Sequence, residues 1–256
     1  MSLFLCSLNS GSNGNCYYLG NRQEAVLVDA GISCRETVLR LERSGLSVKN
    51  VKAIFISHEH SDHIRGVEVL SRKYRIPVYI TRSTLKECRL RLEKTLIKHF
   101  VPLEKIRIGG LTVKAIPKHH DGIDPHSFVI SSERITTGVF TDIGKVCDNI
   151  SGHLRVCHAA FLESNYDEGM LENGSYPVFL KRRIRGGEGH LSNLQALDLF
   201  LNHRAPFMKL LILSHLSANN NHPRLVEDLF HPHAGGIRIE IASRYGETRV
   251  FQVRGK

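Results

Sequence analysis

The segment Ser57-His58-Glu59-His60-Ser61-Asp62-His63 constrains this chain more than any other. It follows directly on Val51-Lys52-Ala53-Ile54-Phe55-Ile56, an apolar run that reads as a buried strand. Three imidazoles and two carboxylates within six residues are more ligand chemistry than a turn needs for solubility. If the chain leaves the strand extended, His58 and His60 can face one metal ion, and Asp62 and His63 must turn toward a second position. Neutral imidazole and carboxylate are the donors that zinc and manganese take. A solvated His-rich turn would account for one isolated histidine, but not for H-x-H-x-D-H at the end of a buried strand.

With 256 residues the chain is long enough for one large α/β domain or two small ones. We see no linker, low-complexity tract or repeat, and expect one domain over residues 1–256. The formal charge of +10 favours an anionic partner, such as nucleic acid, a phosphorylated metabolite or a membrane surface. A merely solvated basic surface would give the same figure. The six cysteines form no C-x-x-C pair and suit a reducing compartment. The apolar stretch at residues 3–8 is too short for a secretion signal, and no run approaches the roughly 20 apolar residues that span a bilayer. The expected location is cytoplasmic.

Taken in order, the chain opens as a β-meander whose third strand, Glu24 to Gly31, ends on Asp29. We expect Asp29 to hold a neighbouring loop by hydrogen bonds. The loop Ser10 to Asn15 has no nucleotide-binding spacing and reads foremost as a turn. Helices are expected from a capping box at Ser33–Glu36, over about Ile64–Tyr74, and from a second capping box at Thr84–Glu87 to about Ile97. Strands at 106–108, 111–116 and 127–130 flank Lys118-His119-His120-Asp121. Short strands then end at Thr141-Asp142 and Leu162-Glu163, the carboxyl ends where α/β folds build their sites. A helix over 177–184, one opening at His190 to Asn193, a strand closing on Ser214-His215, a helix over 223–230 and two final strands at 237–242 and 248–253 complete the reading.

The strand-end candidates are His58, His60, Asp62, His63, His120, Asp142 and His215. That number suits two divalent ions about 3.5–4 Å apart sharing a carboxylate. His119 competes with His120, because neighbours on an extended chain point to opposite sides.

This set resembles the metallo-β-lactamase superfamily of metallohydrolases, whose successive motifs correspond to Asp29, the H-x-H-x-D-H loop, a later His, Thr141-Asp142 and Ser214-His215. The resemblance implies an α/β fold, the four-layer αββα sandwich. It also implies one ion on His58, His60 and His120, another on Asp62, His63 and His215, and Asp142 bridging. More narrowly, Ser10 to Cys16, His120-Asp121 with Asp124-Pro125, Glu163-Ser164-Asn165, Gly189 to Asn193 and Leu213 to Ser217 with Asn220-Asn221 are similar to the bacterial YycJ/WalJ-like family. That family is regarded as metal-dependent DNA exonucleases, 5′-to-3′ in direction, serving DNA repair or processing. Gly189-His190 is also similar to the segment of tRNase Z enzymes whose histidine assists leaving-group departure. Neither the RNA-binding arm of tRNase Z nor an inserted β-CASP domain is visible.

On this reading two divalent ions, zinc or manganese, supply a bridging hydroxide that attacks phosphorus, with Asp62 and His190 as the catalytic residues. Lys181, Arg182, Arg183 and Arg185 are placed to contact a nucleic-acid backbone, DNA rather than RNA, and Ser192, Asn193 and Ser217 to contact substrate. Tyr166, Tyr176 and Phe128 are the aromatics near the motifs. Two other readings stand beside it. One is a hydrolase of a small cyclic or phosphorylated metabolite, thioester or lactone. The other is a non-catalytic nucleic-acid-binding module with a structural metal. The net charge and the basic cluster favour a polyanion.

Overall fold

The computed structural model describes residues 2–255. In chain order they form β1 (Ser2–Asn9), β2 (Cys16–Gly20), β3 (Ala25–Val28), α1 (Cys34–Arg43), β4 (Val51–Phe55), α2 (Ser61–Ile64), α3 (Val67–Tyr74), β5 (Val78–Tyr79), α4 (Arg82–Glu87) and β6 (Ile97–Lys98). There follow β7 (Lys105–Ile108), β8 (Leu111–Pro117), β9 (His126–Ser132), β10 (Ile135–Phe140), α5 (Asp148–Leu154), β11 (Ala159–Glu163), α6 (Glu168–Asn173) and α7 (Val178–Arg185). The chain ends with α8 (Asn193–His203), β12 (Leu210–Ser214), α9 (Pro223–Phe230), β13 (Arg238–Ile241) and β14 (Phe251–Arg254).

Two seven-stranded sheets result, ordered β14-β1-β2-β3-β4-β5-β6 and β13-β12-β11-β10-β9-β8-β7. Their central strands are apolar on both faces, so the period-two alternation there sorts residues between two cores rather than between core and water. In β4, Ala53 and Phe55 face the opposite sheet while Ile54 faces helices. In β11, Ala159 and Phe161 point inward while Ala160 and Leu162 point outward. Ring pairs Tyr17–Phe161, with centroids 4.9 Å apart, and Phe55–Phe128, at 5.5 Å, join the sheets. Outside them, α1 and α3 cover the first sheet and α5, α8 and α9 the second. The layers are αββα, as the sequence implies.

The parallel pairs β3–β4 and β10–β11–β12 bring several carboxyl ends to one edge. Asp29, Asp142 and His215, each just past a strand, have φ of 61°, 55° and 58°. This left-handed conformation is uncommon outside glycine and most accessible to Asp, Asn and His, so the chain turns sharply while its polar side chain aims across the edge.

Local boundaries differ from expectation where tertiary contacts win. The helix expected over Ile64–Tyr74 is two helices, because Gly66 packs against α1's entry: an added Cβ would meet the Ile32 carbonyl oxygen at 2.0 Å. The helix expected from Thr84 to Ile97 stops at Glu87 and is capped by Thr81, whose Oγ1 accepts from Thr84 N. Arg89 turns left-handed, with φ 51°, and Ile97 pairs with Val78 as an edge strand. The last strand begins at Phe251 rather than 248, because Ser7 N of β1 donates to the Thr248 hydroxyl at 3.1 Å in place of a backbone carbonyl. Among the described residues no helix is long and apolar enough to cross a membrane, and all six cysteines are free.

Candidate metal centre

The H-x-H-x-D-H loop leaves β4 and is held from below by Asp29. Asp29 Oδ1 accepts from Ser57 N at 2.8 Å; Oδ2 accepts from Ser57 Oγ at 2.8 Å and His63 Nδ1 at 2.7 Å. With its hydroxyl proton given to Asp29, Ser57 Oγ accepts from His58 Nδ1 at 2.9 Å. Asp29 thus orients two histidines, the supporting role expected of it.

The same arrangement recurs around the site. His120 Nδ1 donates to the Gly189 carbonyl at 2.9 Å, and His215 Nδ1 donates to Glu163 Oε1 at 2.9 Å. An imidazole whose Nδ1–H is engaged has only Nε2 left with which to meet a metal, the orientation that ligation needs. His58, His63, His120 and His215 are all fixed this way. His120 Nε2, His215 Nε2 and Asp142 Oδ2 are buried and have no hydrogen-bond partner among the described residues. Such atoms are costly to bury unless something else satisfies them.

Ligand atoms of His58, His60 and His120 lie within 4.8 Å of one another, as do those of Asp62, His63 and His215. Asp142 falls between them: with His58 and His63 it forms a third such group. A fourth joins Asp142, Glu163, His190 and His215. His58 Nε2 and His60 Nδ1 sit 3.0 Å apart. The structure therefore brings all seven sequence-selected residues together. His119 points away; it is partly exposed, with Nδ1 3.6 Å from Glu188.

Charge points the same way. Asp29, Asp142 and Glu163 are fully buried, with Asp62 close by and Lys118 the one buried lysine among the described residues. Burial works against ionising Asp142, but cationic His215 and His63 hold its carboxyl well below the usual range. Burial likewise opposes protonation of His63 and His215. The surrounding carboxylates, Asp142 foremost, nevertheless raise both, His215 to about 10. Burial lowers His58 strongly and His120 to about 3, so these two are neutral. The site is a nest of carboxylates that recruits positive charge from its own imidazoles. Together with the orphaned, inward-facing atoms, a mixed imidazole–carboxylate set of this charge fits divalent cations such as zinc or manganese.

Five further residues belong to the site. Glu163 closes β11 and accepts from His190 Nδ1 at 2.8 Å, His215 Nδ1, Ile143 N at 2.7 Å and Leu191 N at 3.2 Å. Burial would raise its pKa; the charge and hydrogen bond of His190 hold it at about 2. In the sequence its place as an acidic strand end and the Glu163-Ser164-Asn165 motif mark it. Asn15 Nδ2 lies 3.1 Å from Asp62 Oδ2 and from His63 Nε2, so the Ser10–Asn15 loop steadies this edge. Lys118 Nζ donates to Thr141 O at 2.7 Å beside Asp142. Ser57 carries the Asp29 link. His190, partly buried, stands with its ring centroid 5.2 Å from those of His120 and His215.

The expected substrate contacts are placed differently. Ser192 and Asn193 are buried: Ser192 caps α8 with Gln195, and Asn193 Oδ1 accepts from Ser164 Oγ and Asn221 Nδ2. Ser217 Oγ accepts from Asn220 N beside His215. In α7, Arg183 pairs with Asp121, Arg185 pairs with Glu172, and Lys181 Nζ binds Glu172 O at 2.6 Å, leaving Arg182 exposed. Phe128 lies in the core, Tyr166 is buried, and Tyr176 OH is held by Asn219.

Residues 10–171 match the Metallo-beta-lactamase superfamily. An exodeoxyribonuclease YycJ of Bacillus anthracis is 34% identical over 224 residues, covering 86% of this chain and 85% of its own. An exodeoxyribonuclease WalJ of Streptococcus pneumoniae is 32% identical over 219 residues, 84% and 81% of the two chains. Among solved structures, the metallo-beta-lactamase fold protein YhfI of Bacillus subtilis superposes with a TM-score of 0.75 at 17% identity over 99% of this chain and 100% of its own. The chain belongs to the metallo-β-lactamase superfamily of metal-dependent hydrolases and, within it, to the YycJ/WalJ-like family.

Proposed function

We propose that this protein is a two-metal phosphodiesterase that degrades DNA as a 5′-to-3′ exonuclease in cytoplasmic DNA repair or processing, using zinc or manganese. The observation that carries the reading is the meeting of two ligand groups, His58–His60–His120 and Asp62–His63–His215, at the buried Asp142. The relatives named exodeoxyribonucleases supply the substrate class. The charge of +10 suits a polyanion.

Two divalent ions in these groups would make a water nucleophilic near neutral pH and neutralise charge on a phosphodiester. The protein's own residues do the rest. Asp29, the Gly189 carbonyl and Glu163 fix the imidazole tautomers, so no reorientation is needed when substrate arrives. His190, anchored to Glu163 through Nδ1, has the opposite ring nitrogen to donate a proton to the departing oxygen. Arg183, paired with Asp121 next to His60 and His120, and exposed Arg182 line the approach from α7.

Timed digestion of end-labelled single- and double-stranded DNA and RNA, with manganese and with zinc, tests the reading. The expected result is DNA shortened from the 5′ end, slowed by added salt. Turnover of bis-p-nitrophenyl phosphate or a lactone with DNA left intact at low salt would replace it with the small-molecule reading.

A further inference from the structure

Beside the metal centre lies a pocket of about 490 Å³ that none of the mechanism above uses. Its volume falls in the ordinary range for small-ligand sites, roughly 300–1,000 Å³. Leu216, Ile241 and Ala242 give it an apolar lining, Ser217 a hydroxyl, and Arg244 and Tyr245 a cationic and aromatic rim. Leu216 and Ser217 directly follow His215. Ser10, also on its wall, accepts from His215 N at 2.7 Å. The pocket and the metal centre therefore share a wall.

The rim is built, not loose. Ser243 O accepts from Ser10 N at 3.1 Å, Arg244 O accepts from Asn13 Nδ2 at 2.8 Å, and Ser243 Oγ accepts from Tyr245 N at 3.0 Å. Gly11, with φ 143°, lets this loop pass close; a Cβ there would lie 3.3 Å from Arg244 Cβ. The Ser10–Asn15 loop thus carries the rim at one end and, through Asn15, the Asp62–His63 edge at the other.

Two side chains stand out for what they lack. Tyr245 is 82% exposed, against 73% for Phe179, the next most exposed large apolar side chain among the described residues. Arg244 has a buried Nη1 with no hydrogen-bond partner and pairs with no described carboxylate, unlike Arg183 and Arg185 of α7. Its guanidinium lies 5.9 Å from the Tyr245 ring centroid. Glu227, also on the lining, is the one acidic group there. A flat apolar face next to an uncommitted cation, on a pocket whose Leu216 adjoins His215 of the metal centre, matches the alternating base and phosphate of a single strand.

We propose that this pocket holds one nucleoside of the DNA strand, the unit adjoining the cleaved phosphate, with Tyr245 stacked on its base and Arg244 paired with its neighbouring phosphate. The assignment rests on the nuclease reading and adds to it the residues that grip the strand end. Because every base offers a π-face, the pocket selects single-stranded ends without reading sequence.

The test compares kcat/KM for a single-stranded oligonucleotide carrying terminal 2-aminopurine with kcat/KM for bis-p-nitrophenyl phosphate. Tyr245→Ala is expected to lower the ratio of the two about tenfold and to leave 2-aminopurine fluorescence unquenched, while Tyr245→Phe keeps the ratio within about twofold of wild type. Arg244→Gln is expected to flatten the salt dependence of DNA turnover by about one unit of log–log slope. A Tyr245→Ala ratio equal to wild type, or an unchanged salt slope in Arg244→Gln, overturns the assignment while the nuclease reading stands. A wild-type protein that turns over the small diester but not the oligonucleotide overturns both.

Discussion

Replacing Glu163 by glutamine changes one atom's charge and proton count and little else in volume. Oε2 accepts from two backbone donors, Ile143 N and Leu191 N, so the amide oxygen must take that position. The amide NH2 then faces His190 Nδ1 and His215 Nδ1, formerly 2.8 and 2.9 Å from an acceptor. Each ring must then present an Nδ1 lone pair, so the single proton it keeps when neutral sits on Nε2. For His215 this protonates the atom that stands orphaned inside the site. The reverse amide orientation leaves the Ile143 and Leu191 donors facing N–H groups, at about 1–3 kcal/mol for each buried donor unsatisfied. Either way the metal meets a mis-set histidine. Lost orienting partners of this kind typically cost 10- to 100-fold in metal affinity, or about 1.4–2.7 kcal/mol. The assay is competition for zinc against a chelating dye at neutral pH, with thermal unfolding as a control. A folded Glu163→Gln protein binding zinc as tightly as wild type would refute the claim that Glu163 sets the His215 tautomer.

Other expected outcomes follow from the same geometry. His63 and His215, raised in the metal-free protein, must each release a proton when Nε2 binds a cation. Zinc affinity should therefore strengthen as pH rises toward 8, by up to about tenfold per unit for each proton displaced, and calorimetric enthalpies should depend on the buffer's ionisation heat. An affinity flat between pH 6 and 8 would contradict this. His190→Ala is expected to lower kcat on DNA about 10²- to 10⁴-fold with metal content intact; equal kcat would remove His190 from proton transfer. Gly31→Ala places a Cβ 1.6 Å from the Asp62 carbonyl oxygen, so the loop carrying Asp62 must move. Melting should fall by roughly 5–10 °C, from a clash of about 2–3 kcal/mol, and a native melting temperature would show that the loop yields freely.

Which parts of this were readable beforehand follows from the range of the interactions. The H-x-H-x-D-H loop shows because five ligand-type side chains crowd one strand end. Asp142 and His215 show because each closes an apolar run, and their left-handed φ is the turn such an ending requires. Glu163 carried the same mark. Its partners His190 and His215 lie 27 and 52 residues away; parallel pairing of β11 with β12 brings up His215, and the Asn165 N–Leu191 O bond brings up His190. The Lys181–Arg185 run reads as free charge only in one dimension; Asp121 and Glu172 arrive from other segments to pair with it. Ser192 and Asn193 sit in a motif that reads as contact with substrate, yet their hydrogen bonds close the start of α8. Tyr245 and Arg244 carry no local signal, because three loops distant in sequence make their pocket. α4 ends early for a similar reason, since pairing of Ile97 with Val78 outweighs helix propensity.

Anomalous diffraction from crystals grown with zinc or manganese tests the central claim most directly. Two peaks about 3.5–4 Å apart are expected, one among His58, His60 and His120 and one among Asp62, His63 and His215, with Asp142 reaching both. A single peak, or one seated among Asp142, Glu163, His190 and His215, would contradict it.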